Sequence, residues 1–133
     1  MEAGNIFKGA AIGGAAAGVV NVVLYFIGGA LGAEYSFVQP GMTEAAPIPV
    51  PMPFIMSLVP ALLAGAALVA ATKFMPDKAW NIFVGVLVVG FIAMLGGPPM
   101  QLGHDMVAVV VLEVMHVVAV AGIYLGVKRF AKD

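Results

Sequence analysis

The chain has no cysteine, so neither a disulfide nor a thiol nucleophile is available to it. Charge is scarce as well. Charged residues make up 10% of the 133 positions, against about 25% in a typical soluble domain. A water-facing surface cannot be built from so few, and the 62% hydrophobic content makes the bilayer the expected main solvent. The six basic residues are scattered and the net charge is -1, which excludes the footprint of a nucleic-acid-binding protein.

What is present is long apolar runs. A spanning helix needs roughly 20 apolar residues, and four stretches approach or exceed that length, over about 9–33, 54–75, 80–97 and 106–127. The expected fold is all-α: a single domain over 1–133, built as an up-down antiparallel bundle of four transmembrane helices. The third stretch is short. It either recruits Gly96 and Gly97 or sits where the bilayer thins. The first stretch follows Lys8 as a secretory signal would. Its apolar length exceeds the 7–15 residues of a signal core, so it reads as a retained span.

With four spans, Lys8, Lys73, Lys78, Lys128, Arg129 and Lys132 all fall on one side. Glu34, Glu44 and Asp105 fall on the other. That asymmetry places both termini in the cytoplasm, and the expected location is the plasma membrane. Trp80 then opens the third helix at the inner interface, where an amphipathic ring is suited.

The connection over residues 34–53 reads "EYSFVQPGMTEAAPIPVPMP", with Pro47, Pro49, Pro51 and Pro53 at alternate positions. Proline lacks the amide hydrogen and biases its predecessor toward extended backbone. The segment is expected to be extended and non-helical, as a stiff connector on the outer face, a lid over a cavity or a docking strip. "MPDKA" at 75–79 forces helices two and three into a hairpin. Asp105, at the end of "GGPPMQLGHD", is placed to cap the fourth helix. Pro60 interrupts the second helix and frees a carbonyl there.

In helix one, Gly14, Gly18, Asn21, Tyr25, Gly28 and Gly32 recur at spacings of three and four and share a face. Gly9 and Gly13 repeat the spacing nearby. Small residues let backbones approach closely in lipid, so these glycines serve either contacts within the bundle or a homodimer. "GGAAAG" is not a phosphate cradle, because no lysine follows it and no strand precedes it.

The last span contains "VVVLEVMHVVAVAG" at 109–122, with Glu113 and His116 three apart on one side of a helix. Counted from Met106, they lie about 10 and 15 Å into the span. Asn21 lies about 18 Å up helix one from Gly9, with Tyr25 one turn further. On this count Asn21 is level with His116 and Tyr25 with Glu113. The two pairs face each other if helices one and four are neighbours. Polar groups at this depth are costly unless they look inward at partners.

Such a site suits a structural network, a pocket for a lipid-like or aromatic molecule, a proton relay, or acid–base chemistry on an apolar substrate. A metal site is not expected. "EVMH" has the Glu-x-x-His spacing of bundle di-iron centres, but those need two such motifs and two more glutamates. His104 and His116 are about 18 Å apart on one helix, too far to clamp one haem. The methionines supply adaptable packing volume.

"NVVLYFIGGALG" at 21–32, "KFMPDKAWNIFVGVLVVG" at 73–90 and "MHVVAVAGIYLGVKR" at 115–129 resemble an uncharacterised family of small bacterial four-helix integral membrane proteins. The likeness implies the four-span topology and carries no activity. The small multidrug exporters differ, with their essential acid in helix one where this chain has Asn21. The expected function is a binding or scaffold module for a lipid-like or apolar small molecule, with membrane lipids and such a ligand as partners. No cofactor and no nucleic acid is expected. The alternatives are a proton-coupled transporter acting as an oligomer, and an enzyme on a lipid-soluble substrate. The candidate ligand or relay residues are Glu113, His116, Asn21 and Tyr25. The candidate helix-packing residues are Gly14, Gly18, Gly28 and Gly32.

Overall fold

The computed structural model describes residues 1–132; Asp133, the last residue of the expected domain, lies outside the described residues. Helix α1 spans Ala3–Ala30, α2 Met52–Phe74, α3 Ala79–Met94, α4 Gly97–Leu102 and α5 Met106–Phe130. A 3-10 turn, Pro76–Lys78, precedes α3. With that turn and α4, α3 forms one helical run over Pro76–Leu102. The chain therefore has four helical runs long and apolar enough to cross a membrane, and is a multi-pass membrane protein by length and composition. The short third span is completed through the break at Leu95 and Gly96, both of which keep helical backbone angles.

Helix α1 begins one and a half turns before the first apolar run and ends earlier than expected. It stops at Gly32, which has φ +105°. There the Ala33 amide donates to Gly28 at 2.9 Å and the Gly32 amide to Gly29 at 3.1 Å, the paired bonds of a helix end closed by a left-handed glycine. Helix α2 begins inside the proline run. Pro51 precedes it and Pro53 occupies its first turn, where no amide hydrogen is needed.

The rest of the 31–51 connection is not simply extended. Strands β1 (Ser36–Val38) and β2 (Ala45–Pro47) form a small antiparallel hairpin, with Ser36 opposite Pro47, Phe37 opposite Ala46 and Val38 opposite Ala45. Pro47 is tolerated because this is an edge strand of a two-stranded sheet.

Helix α1 is held between α5 and α2, its two principal neighbours, while α3 touches the bundle lightly. The α1–α5 contact is a reciprocal glycine seam. A Cβ on Gly9 would collide with the Gly126 carbonyl oxygen, and one on Gly13 with that of Gly122. On the other side of α1, a Cβ on Gly14 would stand 2.5 Å from Ala61 Cβ and one on Gly18 2.6 Å from the Phe54 ring. In lipid, where apolar burial does not drive helices together, this close approach supplies dispersion energy instead.

Both described ends of the chain lie at one end of the bundle. Lys8 Nζ is 5.2 Å from the Phe130 ring centre and Lys132 Nζ 4.3 Å from that of Trp80, distances suited to cation–π attraction. Above this basic end, Ile6, Leu68, Phe83, Ile123 and Val127 pack into a closed apolar core. A second cluster, built on Tyr35, Leu102 and Val109, lies under the hairpin at the opposite end.

Candidate functional site

Asn21 is the polar centre of the bundle and is only 2% exposed. Its Nδ2 donates to Ser57 Oγ on α2 at 2.9 Å and to the Met115 carbonyl on α5 at 3.2 Å. Ser57 in turn donates to the Pro53 carbonyl at 2.7 Å. This chain fixes the direction of the amide. A carbonyl only accepts and the Ser57 hydrogen is already used, so nitrogen faces both partners. The Asn21 Oδ1 atom is left buried and without a partner.

The expected pairing of Asn21 with His116 is not formed. The glycine seam sets Gly9 against Gly126 and Gly13 against Gly122. Carried two turns further, the same antiparallel register brings Asn21 to Val114 and Met115. The expected Tyr25–Glu113 pair is not formed either. The Tyr25 hydroxyl donates to the Ile48 carbonyl of the hairpin at 2.6 Å.

Asn21, Ser57, Met115 and His116 nevertheless face one space. They wall a cavity of about 400 Å³ that reaches from α1, α2 and α5 to the end of α3 and up to Phe37, Ile48 and Pro49 of the hairpin. Four methionines, Met52, Met56, Met94 and Met115, contribute to its wall, giving it thioether surface that adapts in shape. His116 Nδ1 is buried and has no partner. Glu113 stands outside this wall, with its Oε1 also buried and unpartnered. By helical spacing it shares the stripe of Val117, Val120 and Tyr124, which looks toward α3.

The hairpin is clasped over the cavity at several points. Asp105 caps α5 by accepting from Ala108 N at 3.0 Å through Oδ1. Its Oδ2 accepts from the amides of Glu34 and Tyr35 at 2.9 and 3.1 Å. Burial pushes the Asp105 carboxyl up, but those three amide hydrogens and the neighbouring His104 outweigh it and hold the carboxyl below its ordinary range. His104 Nε2 lies 3.0 Å from the Ser36 carbonyl.

Tyr35 has φ 55°, an uncommon backbone for a bulky residue. Its ring stacks on Tyr25 at 4.4 Å, and its hydroxyl donates to the Tyr25 carbonyl at 2.9 Å. Burial, then the nearby Tyr25 and Asp105, push the Tyr35 hydroxyl up to about 12. Gly28 makes room for it, because a Cβ there would overlap that hydroxyl.

The sequence profile of a family of unknown function, DUF6069, matches residues 2–133. The chain belongs to this family. No curated protein and no solved structure matches it.

Of the four glycines expected to pack α1, Gly14, Gly18 and Gly28 do so in this DUF6069 chain, against α2 and Tyr35. Gly32 does not; nothing lies within 4 Å of a Cβ placed there. Its positive φ ends the helix instead. Sequence reasoning missed Ser57 and Tyr35. It also missed Gly122 and Gly126. Their four-residue spacing repeats that of Gly9 and Gly13 and was a readable signal for which helix lies against α1.

Proposed function

We propose that this protein is a membrane-embedded binding module that takes an apolar molecule with a polar head into the Asn21–Ser57–His116 cavity, with the β-hairpin as its lid. The observation that carries this reading is the pair of buried, unpartnered polar atoms, Asn21 Oδ1 and His116 Nδ1, on side chains that wall one cavity of about 400 Å³. Buried polar groups are normally paired, and a buried acceptor left alone costs about 1–3 kcal/mol. A head group that these side chains turn to meet removes that cost.

The remaining wall is largely apolar and carries no lysine, arginine or carboxylate among the described residues. This favours a neutral occupant over an ion. The core of Ile6, Leu68, Phe83 and Val127 fills the bundle between cavity and basic end. A pocket closed at one end suits binding better than passage across the membrane. The lysines and arginine of the basic end favour the cytoplasmic side, and the lid then faces outward.

Mass spectrometry of the protein purified in mild detergent tests the reading. Wild type is expected to retain a neutral apolar compound in near-stoichiometric amount, and His116→Phe and Asn21→Leu to lose most of it while keeping their helical circular dichroism. The same background lipid in all three samples contradicts the proposal.

A further inference from the structure

The α3–α5 face carries a second hollow, apart from the Asn21 cavity. An apolar groove of about 310 Å³ runs between the two helices, walled by Val84, Leu87 and Phe91 on α3 and by Val117, Ala121 and Tyr124 on α5. Val88 and Val117, which also line it, are 49% and 52% exposed, so it opens sideways to the surrounding lipid. At the basic end the groove leads to an aromatic and cationic mouth. Trp80 stands one turn before Val84 on α3, and its ring lies 5.7 Å from that of Tyr124. Lys128, one turn after Tyr124 on α5, holds its Nζ 5.6 Å from the Tyr124 ring, and Lys132 Nζ lies 4.3 Å from the Trp80 ring. At the other end Glu113 precedes Val117 on the same stripe of α5, one turn beyond the wall of the groove. Its Oε1 is buried and unpartnered there.

We infer that this groove is a site for one anionic phospholipid of the leaflet at the basic end, with its phosphate at Lys128 and Lys132 and one acyl chain lying along the α3–α5 seam. Charge complementarity selects the head group. Each ring takes one side of an ammonium group and leaves N–H donors for phosphate oxygens. Among the described residues, the acids at this end are Glu2 and Asp77, against Lys8, Lys73, Lys78, Lys128, Arg129 and Lys132, so the mouth stays positive. A cationic head is repelled there, and a zwitterionic one brings an ammonium group along with its phosphate. Length selects the chain. From Lys128 to Val117 the helix rises about 16 Å, and one leaflet supplies half of a hydrocarbon core roughly 30 Å thick. A chain anchored at the lysines therefore ends at the level of Val117 and Phe91. It stops about 6 Å short of Glu113, whose carboxyl bounds the apolar length that a tail can use.

Native mass spectrometry of the detergent-solubilised protein, titrated with phosphatidylglycerol or with phosphatidylcholine of the same chains, tests the head group. Phosphatidylglycerol is expected to bind about twentyfold tighter, at roughly fivefold per lysine. The double variant Lys128→Gln, Lys132→Gln should lose most of that preference. Lys8→Gln removes the same charge from the α1 side of this end and should leave the preference in place. Photolabelling in phosphatidylcholine nanodiscs, using a phosphatidylglycerol with a diazirine at the end of one acyl chain, tests the groove. Labelling is expected at 117–121 and 87–91, competed by excess unlabelled phosphatidylglycerol. Ala121 is exposed, so Ala121→Phe is accommodated; it fills the groove and should cut that labelling severalfold. Equal affinity for the two lipids, or an unchanged preference in the double lysine variant, overturns the head-group assignment. Labelling that falls equally on exposed Leu63 of α2, or that unlabelled phosphatidylglycerol does not compete, overturns the groove assignment.

Discussion

Asp105 joins two tasks in one carboxylate. One oxygen caps α5 and the other holds the Glu34 and Tyr35 amides, so the start of the last helix and the root of the hairpin share a single group. Hydrogen bonds to a charged acceptor are worth about 1.5–3 kcal/mol each before solvent exposure weakens them. Asp105→Ala is expected to leave the bundle intact and raise hydrogen exchange at the Glu34 and Tyr35 amides by at least about tenfold. The same release should occur in acid. Because the folded carboxyl titrates below its ordinary value of 3.8, its contribution is full above that value and disappears as pH falls through the lower, folded one. Exchange that is unchanged in the variant and flat down to pH 2 contradicts the clasp. Its capping role was readable from position alone, one residue before an apolar run. The Oδ2 bonds were not, because they reach back some seventy positions to a segment whose fold depends on the hairpin.

At the scale of elements, α1 is defined by its glycines, and these differ in what surrounds them. Gly13 meets the Gly122 backbone, whereas Gly90 on α3 has nothing within 4 Å of a Cβ. Gly13→Ala must push α1 and α5 apart and is expected to cost about 1–3 kcal/mol. Gly90→Ala removes only unfolded-state freedom and is expected to gain about 0.5–1 kcal/mol. Unfolding in mixed detergent, followed by circular dichroism, measures both, and equal changes in the two variants contradict the seam.

The apolar runs made the helices themselves legible. Their mutual register was not, since counting from the edges of the runs placed Asn21 beside His116. The true origin is the pair of glycine motifs, and α1 starts well before its run does, at Ala3. The hairpin was hidden by its prolines, which argue against strands until the edge position of Pro47 is known.

At the scale of the molecule, the bundle is asymmetric along its axis. One end is basic, aromatic and filled, and the other is hollow and bordered by the hairpin. Composition and charge placement alone announced the membrane and the segregation of basic residues. The cavity could not be read in the same way, because its wall draws on all five helices and the hairpin, whose meeting depends on the unread α1–α5 register. Its polar residues, Asn21, Ser57 and His116, come from three different helices. Asn21 and His116 were legible as inward-facing polar residues at similar depth, whereas Ser57 carried no such signal.

The central claim is that this asymmetry spans a bilayer, with the lid over the polar cavity on the side opposite the basic end. Because the chain has no cysteine, a thiol placed at Thr43 on the hairpin or at Asp77 on the basic turn is its only one. Labelling of intact cells with a membrane-impermeant maleimide measures the claim directly. Thr43→Cys is expected to react without permeabilisation, and Asp77→Cys only after it. Equal reaction of both in intact cells, or the reverse order, contradicts the account.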